Sequence, residues 1–466
     1  MNTSPNPFTP MLLTYDPANF YGRENEIITI LQVITAIDTA GHALHGARSI
    51  GKTTLLKYLK DPDGALVQYE GYIRPDYLPG GRSRLFFVYL SLHAFEDGDS
   101  LFFIMLRQIK FDLHDDDELQ VPIEDFDETF APERLTKILR KTIQNLKSQH
   151  VRVVFLLDDF DEPIKYLNED DDHLLRHLSD DAVIIIATEH PISEINPKFT
   201  HSSPFLGILR PEIIGLLSED AAQQLIIEPA QQNGVQFTPH EVGFLLETAG
   251  RQPFILIAAC ELYFNMRKQY PDIARLVGDP QECENIQRQF IVRLTGRPHI
   301  KDALDRMWMF LKPEEQDLLV EIAYHPKITF IPFDPRSHMA SQLENRALVY
   351  SDILNNAYQI FSILFMDYIQ QLSPRVSNGI GGDNLLDVID DLSPIDQAVA
   401  RYLYERPNQV CTFEELLDTI WKDRGAKRAL EAAVHRLRQK VKDNPHEEIK
   451  NIRGTGYMFA TKEVVT

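Results

Sequence analysis

A chain of 466 residues is too long for one hydrophobic core, and an ordinary apolar share of 44% fits about two to four soluble globular domains. A formal net charge of −22 excludes a chain coated in nucleic acid, and no apolar run approaches the roughly 18 residues of a membrane span. Cys260, Cys283 and Cys411 are too scattered for a disulfide framework or a metal site, and the N-terminus lacks a basic-then-apolar export pattern, so the expected compartment is a reducing cytoplasm with no membrane partner.

In chain order, FYGRENEI (Phe20 to Ile27) opens the folded part, and Ile28, Leu31 and Ile34 predict a helix behind it. The run GHALH then leads into GARSIGKTTLL. Gly46, Gly51, Lys52 and Thr53 occupy the fixed places of Gly-x-x-x-x-Gly-Lys-Thr, a phosphate cradle. The glycines let the backbone curl so that successive N–H groups point at one anion. The helix started by TTLLKYL, with Thr53 and Thr54 first, adds its positive end. Lys52 is placed to reach the β- and γ-phosphates of ATP, and the Thr53 hydroxyl to hold Mg²⁺.

RLFFVYLSLH (Arg84 to His93) reads as a second buried strand. The acid runs DLHDDDELQ and NEDDD read as solvated loops. Between them VRVVFLLDDFDE gives a third strand, Val151 to Leu157, followed by carboxylates at its C-terminal end, where ligands bind in open α/β sheets. Asp158 is assigned to the Mg²⁺ shell and Asp159 to polarising the attacking water, with Asp161 or Glu162 as alternatives for the second role. His173 and His177 share a helix face, but no third metal ligand accompanies them. DAVIIIATEH is a fourth strand ending in Thr188. PEIIGLLSEDAAQQLI turns from a short strand into a helix capped by Ser218, and Pro239 to Arg267 is helical. Strands alternating with helices mean a parallel sheet covered on both faces.

The span of about 15–300 resembles the STAND branch of the AAA+ P-loop ATPases, switches related to the origin-recognition ATPases. The resemblance rests on YGRENEI, GARSIGKTT, FLLDD, IIIAT, IGLLSEDAA and AGRQPF. It implies a P-loop core over 1–230 and a helical lid over 231–300. It also implies that Gly22 and Arg23 lie beside the nucleotide, that Thr188 senses the γ-phosphate, and that Pro253 packs on the adenine. Two positions depart from the family pattern. Glu189 and His190 follow the sensor position where an arginine is frequent, and Arg251 replaces a second glycine. Residues 301–372 resemble the winged-helix domain that follows the lid in this family. SPRVSNGIGGDN marks a flexible linker over 373–390.

The C-terminal segment, 391–466, differs in charge. It carries 13 Lys and Arg against 12 Asp and Glu, whereas the rest of the chain has 34 against 57. Ser393 caps a first helix through Ile395, Val399 and Leu403. Thr412 and Glu415 form a capping box on a second. KRALEAAVHRLRQKVKD buries Leu430, Val434, Leu437 and Val441, and IKNIRGTGYMF makes a hairpin. Three helices and a terminal hairpin form a winged helix-turn-helix. The segment resembles the OmpR/PhoB-type DNA-binding domain of response regulators, which implies contacts to double-stranded DNA from Arg428, His435, Arg436 and Arg438 of the recognition helix and Arg453 of the wing. Arg436 is the candidate for a bidentate guanine contact. The loop KDRGAK, which touches RNA polymerase in some family members, is short here.

The combined expectation is a multidomain α/β plus α+β protein, an ATP- and Mg²⁺-controlled transcriptional regulator. It would hydrolyse ATP slowly, respond to a separate protein trigger and form an ATP-dependent homo-oligomer. Two alternatives stand beside it: a DNA-associated motor or loader of a mobile element or replication system, and an oligomerising defence or signalling scaffold.

Overall fold

Five segments form strands β1 (Gly41–His45), β2 (Leu85–Ser91), β3 (Arg152–Asp158), β4 (Val183–Thr188) and β5 (Leu209–Ile213). They pair in parallel in the order β2-β3-β4-β1-β5. Alternate residues of the central strands enter two cores. Phe155, Ile184 and Ile186 meet the helices Leu101–His114 and Pro132–Ser148 on one face, whereas Val154, Leu156 and Ile185 meet Glu24–Ile34 and Lys52–Lys60 on the other. Burial on both faces explains why these strands read as unbroken apolar runs. The order sets β4 between β1 and β3. The loop after β1 and the carboxylates ending β3 therefore flank Thr188, which pairs in register with His45.

The computed structural model describes residues 5–36, 41–73, 78, 80–114, 119, 121–196, 203–325, 328–329, 335–352, 357–373, 394–404, 406–420, 427–440, 447–452 and 454–461. The chain divides into two compact units. One comprises Met1–Gln316, Ser341–Tyr350 and Ile360–Tyr368; the other comprises Asp317–Ala340, Ser351–Gln359 and Ile369–Thr466. Among the described residues no helix is long and apolar enough to cross a membrane.

In the first unit the helices Glu219–Gln232, Pro239–Ala249, Pro253–Gln269 and Pro280–Thr295 follow the sheet. Ser218 caps the first of them, accepting the Ala221 amide at 3.2 Å, as its place before an acidic turn predicts. The stretch 301–372 holds the helices Pro313–Tyr324, Pro335–Asn345 and Ile363–Leu372 with β6 (Ile328–Thr329), β7 (Val349–Asp352) and β8 (Ala357–Ile360). Pro313–Tyr324 begins where Glu315 turns back to accept the Lys312 amide at 2.8 Å.

The C-terminal domain has its own core, in which Val399, Leu403, Leu416, Leu430, Val434, Leu437 and Phe459 meet. Its elements are the helices Pro394–Tyr404, Phe413–Ile420 and Lys427–Lys440 with β9 (Val410–Thr412), β10 (Glu447–Ile452) and β11 (Gly456–Thr461), in the antiparallel order β10-β11-β9. The Thr412–Glu415 capping box forms, with N···O distances of 2.8 and 3.2 Å. Ser393, Val441, the KDRGAK loop up to Ala426, and the linker from 374 onward lie outside the described residues.

Candidate nucleotide site and DNA-binding surface

The phosphate cradle forms between β1 and the helix Lys52–Lys60. Gly51 has φ +105°, which side chains rarely adopt, and the space its Cβ would enter is open, as a phosphate lying against the backbone requires. The Lys52 ammonium donates to the carbonyls of Gly46 at 2.6 Å and Ala47 at 3.1 Å, so it sits inside the loop's curl. Burial lowers its pKa, opposed by Glu189, Asp161, Asp158 and Asp159. Thr53 and Thr54 are exposed at the first turn of that helix. The open cradle, the lysine and the free hydroxyls suit the phosphates of a nucleotide and a magnesium ion.

Gly22 and Arg23 lie behind the cradle. Gly22 has φ +74°, and a Cβ there would come within 2.6 Å of the Ala221 Cβ, so the close approach of the helix Glu219–Gln232 requires glycine. The buried Arg23 guanidinium donates to the Ile50 carbonyl at 3.0 Å, to Gly215 at 2.7 Å and to Glu26 at 3.0 Å. It braces the loop to the segment leading into the lid.

Asp158 ends β3 and is 1% exposed. One oxygen accepts the Tyr89 hydroxyl at 2.8 Å and the other the Asp159 amide at 3.2 Å. Tyr89, not singled out from sequence, lies on β2 and orients this carboxylate; burial and then Asp158 push its phenol up. Asp159 is exposed at a left-handed φ of 55°, a costly conformation for a side-chain-bearing residue. Desolvation, then Asp158, raises its pKa, while Lys52 opposes them.

Asp161, one alternative for activating water, is engaged otherwise. Its oxygens accept the Glu189 amide at 2.8 and 3.0 Å and the His190 amide at 3.3 Å, tying the turn after β3 to the turn after β4. Burial opposes ionisation, but hydrogen bonds from His190 and the two amides hold this carboxyl below its usual value. The Thr188 hydroxyl, expected to face the γ-phosphate, is fully buried and lies 2.6 Å from His45 Nδ1. Burial pushes the pKa of His45 down. The partly exposed polar groups at this strand end are Glu189 and His190.

From the lid, Gln252 reaches the cradle. This residue is 1% exposed, donates to the Ser49 carbonyl at 2.9 Å and accepts the Ile255 amide at 2.7 Å, which caps Pro253–Gln269. Pro253 is therefore the first residue of a helix fastened to the P-loop, and it is half-buried. Arg251 turns away, donating to the Leu217 carbonyl at 2.8 Å. A cavity of about 240 Å³ opens beside Ala47, Arg48 and Ser49 and is bounded by Glu189, His190 and Arg346 among others.

On the helix Lys427–Lys440, Leu430, Ala433, Val434 and Leu437 are buried, whereas His435 and Arg436 are exposed. The half-exposed Arg436 guanidinium makes a two-point pair with Asp396 at 2.7 and 2.6 Å. Arg438 donates to the Ile449 carbonyl at 2.7 Å and lies 5.8 Å from the Tyr457 ring, fastening the helix to the hairpin. Arg428 is on this helix, but its side chain is outside the described residues, as is Arg453.

Residues 19–186 match the family model described as AAA ATPase domain, and residues 391–459 match the one described as transcriptional regulatory protein, C terminal. Over 132 residues, 28% of the chain, it is 27% identical to the uncharacterized transcriptional regulatory protein YbdJ of Bacillus subtilis (strain 168), and it spans about half (53%) of that relative's length. Similar solved structures include the Walker-type ATPase PABY2304 of Pyrococcus abyssi, at 13% identity and a TM-score of 0.48 over 77% of this chain and 99% of that one. Another is the Aeropyrum pernix ORC2 protein in its ADPNP–ADP complexes, at 13% identity and a TM-score of 0.43 over 78% and 98%. One chain thus carries both an AAA ATPase domain match and a match to the C-terminal domain of transcriptional regulatory proteins.

Proposed function

We propose that the protein is an ATP-controlled transcriptional regulator of the STAND type. The loop amides and Lys52 would hold the phosphates, Thr53 and Asp158 would hold Mg²⁺, whose charge would offset that of the phosphates when bound, and Asp159 would orient the attacking water. Gln252 couples the lid to the cradle, so lid position and nucleotide state are read at one hydrogen bond. Slow turnover resets the switch, and ATP-dependent self-assembly or a protein trigger acts through the same equilibrium. The recognition helix Lys427–Lys440 enters the major groove of double-stranded DNA with His435 exposed toward it.

One observation carries this reading. A P-loop cradle and the Asp158–Asp159 pair meet across β1, β4 and β3 in the same chain that ends in a winged helix-turn-helix. The test is selection of bound DNA from a random pool by the full chain, with ADP and with a non-hydrolysable ATP analogue. A defined site bound differently in the two states is expected, because nucleotide controls binding only through differential affinity. DNA-stimulated ATP turnover without sequence preference would instead identify a motor.

A further inference from the structure

The cations around the cradle are not equivalent. Arg23 and Arg251 are committed to backbone carbonyls, at 2.7–3.0 Å and 2.8 Å. Arg306, on the cavity wall, is held by Asp302 one turn away at 2.9 Å. Arg346 differs in origin and in partners. It lies between the helix Pro335–Asn345 and β7, in the stretch resembling a first winged helix, yet it lines the cavity with Ala47, Arg48 and Ser49 of the P-loop. Its guanidinium spans two carboxylates, Glu194 at 3.1 Å and Glu315 at 3.3 Å. Both distances exceed the 2.7–2.9 Å usual for charged pairs. Glu194 follows directly on the sensor-strand turn through Pro191, and Glu315 opens the helix Pro313–Tyr324. The other oxygen of the buried Glu315 has no hydrogen-bond partner among the described residues.

Among the described residues, two arginines, the exposed Arg48 of the loop itself and Arg346, line the cavity beside the cradle without a backbone carbonyl or a same-helix carboxylate holding them. Four carboxylates, Glu189, Asp161, Asp158 and Asp159, already act on Lys52. A third phosphate adds negative charge to such a site, and the cavity beside the P-loop, bordered by Glu189 and His190, is lined by Arg346.

We propose that Arg346 recognises the terminal phosphate of ATP and distinguishes ATP from ADP, giving up contacts to Glu194 and Glu315 when it does so. This rests on the nucleotide reading above and adds its discriminating residue. Exchange of partners would transmit nucleotide state directly to the segment Ser341–Tyr350 and to the start of the helix Pro313–Tyr324, with no separate relay.

The experiment measures equilibrium affinity of the full chain for fluorescent ADP and for a fluorescent non-hydrolysable ATP analogue, with Mg²⁺, in the parent, Arg346→Ala, Arg346→Lys and Glu194→Gln. Arg346→Ala should weaken the ATP analogue about tenfold or more while ADP stays within about twofold, as loss of a charge-assisted contact to one phosphate requires. Arg346→Lys should recover part of the loss. Glu194→Gln, by releasing a competing carboxylate, should raise the preference for the ATP analogue. Equal weakening of both nucleotides by Arg346→Ala, or an unchanged ratio in folded Arg346→Ala and Glu194→Gln, overturns the assignment. If Arg346→Ala does not fold, the Glu194→Gln ratio decides. A parent chain that binds neither nucleotide overturns the P-loop reading as well, whereas a parent that binds both with an unchanged ratio in the variants overturns only the role of Arg346.

Discussion

Arg436 of the recognition helix and Asp396 of the domain's first helix hold each other through two short hydrogen bonds, 2.7 and 2.6 Å, with Asp396 almost fully buried. A carboxylate taken out of water is stabilised by a counter-charge hydrogen-bonded to it. Arg436, which the sequence pattern marks as a base reader, joins two helices of the domain in this structure.

Arg436→Ala should accordingly lower the melting temperature of the C-terminal domain, and Asp396→Asn should do the same. Because the two act on one interaction, the double variant should lose less than the sum. Calorimetry of the three variants checks this. Additive losses would show that the pair is not coupled.

Asp159→Asn should bind ATP with near-parent affinity and slow its hydrolysis by about 10²–10⁴-fold, the range for loss of a positioned general base. Lys52→Ala should instead weaken nucleotide binding about 100-fold or more, since charge-assisted hydrogen bonds of roughly 1.5–3 kcal/mol each are lost. Phosphate release and nucleotide titration separate the two effects. Unchanged turnover in Asp159→Asn would move the role to Glu162, because the Asp161 carboxylate is taken up by the Glu189 and His190 amides.

The cradle, the strand carrying Asp158 and both capping boxes or caps at Ser218 and Thr412 were legible because each is a local pattern, fixed by spacing over a few residues. The contacts that qualify their roles are not local. His45 meets Thr188 across 143 positions, Gln252 meets Ser49 across 203, and Arg436 meets Asp396 across 40. Periodicity reports which face a residue occupies, so it places His45 and Tyr89 in buried strands, but it carries no information on the polar partner met there. Tyr89 had one usable signal, a hydroxyl in an otherwise apolar strand, since a buried donor needs an acceptor.

Gln252→Ala should destabilise the first unit by about 1–3 kcal/mol, because the Ser49 carbonyl and the Ile255 amide lose buried partners together. Nucleotide affinity should fall with it, as the lid loses its direct tie to the P-loop. Denaturant titration gives the first quantity and equilibrium binding the second. Parent-like stability would show that water replaces the side chain at both groups.

His45 gives a pH dependence of known sign. Burial holds its folded pKa below the ordinary value, so as pH falls below about 6.5 the unfolded chain takes up a proton that the folded chain refuses. Stability from this group is present above that pH and is lost as pH falls toward the folded value. His190 acts oppositely. Its hydrogen bond to Asp161 raises its pKa, so its contribution is present at low pH and is lost as pH rises through the folded value. The difference between parent and His45→Gln isolates the first effect. Their melting temperatures should converge from pH 7.5 to pH 5.5, and a constant gap would remove His45 as the titrating group.

On the DNA side, His435 is exposed beside Arg436 and lies opposite the buried stripe of Leu430, Val434 and Leu437. His435→Ala should weaken specific binding by about 1–3 kcal/mol and relax preference at one base position, the signature of a base-edge contact. Arg428→Ala should weaken specific and random DNA alike and reduce the salt slope by about one, as loss of one phosphate contact requires. Arg438→Ala should act mainly through the fold, because its guanidinium ties the helix to the Ile449 carbonyl and the hairpin. Affinities for the selected site and for a scrambled duplex, measured at several salt concentrations, separate the three. A uniform effect of His435→Ala on both duplexes would make it a phosphate contact. No effect of either His435→Ala or Arg428→Ala would mean that this helix does not face DNA.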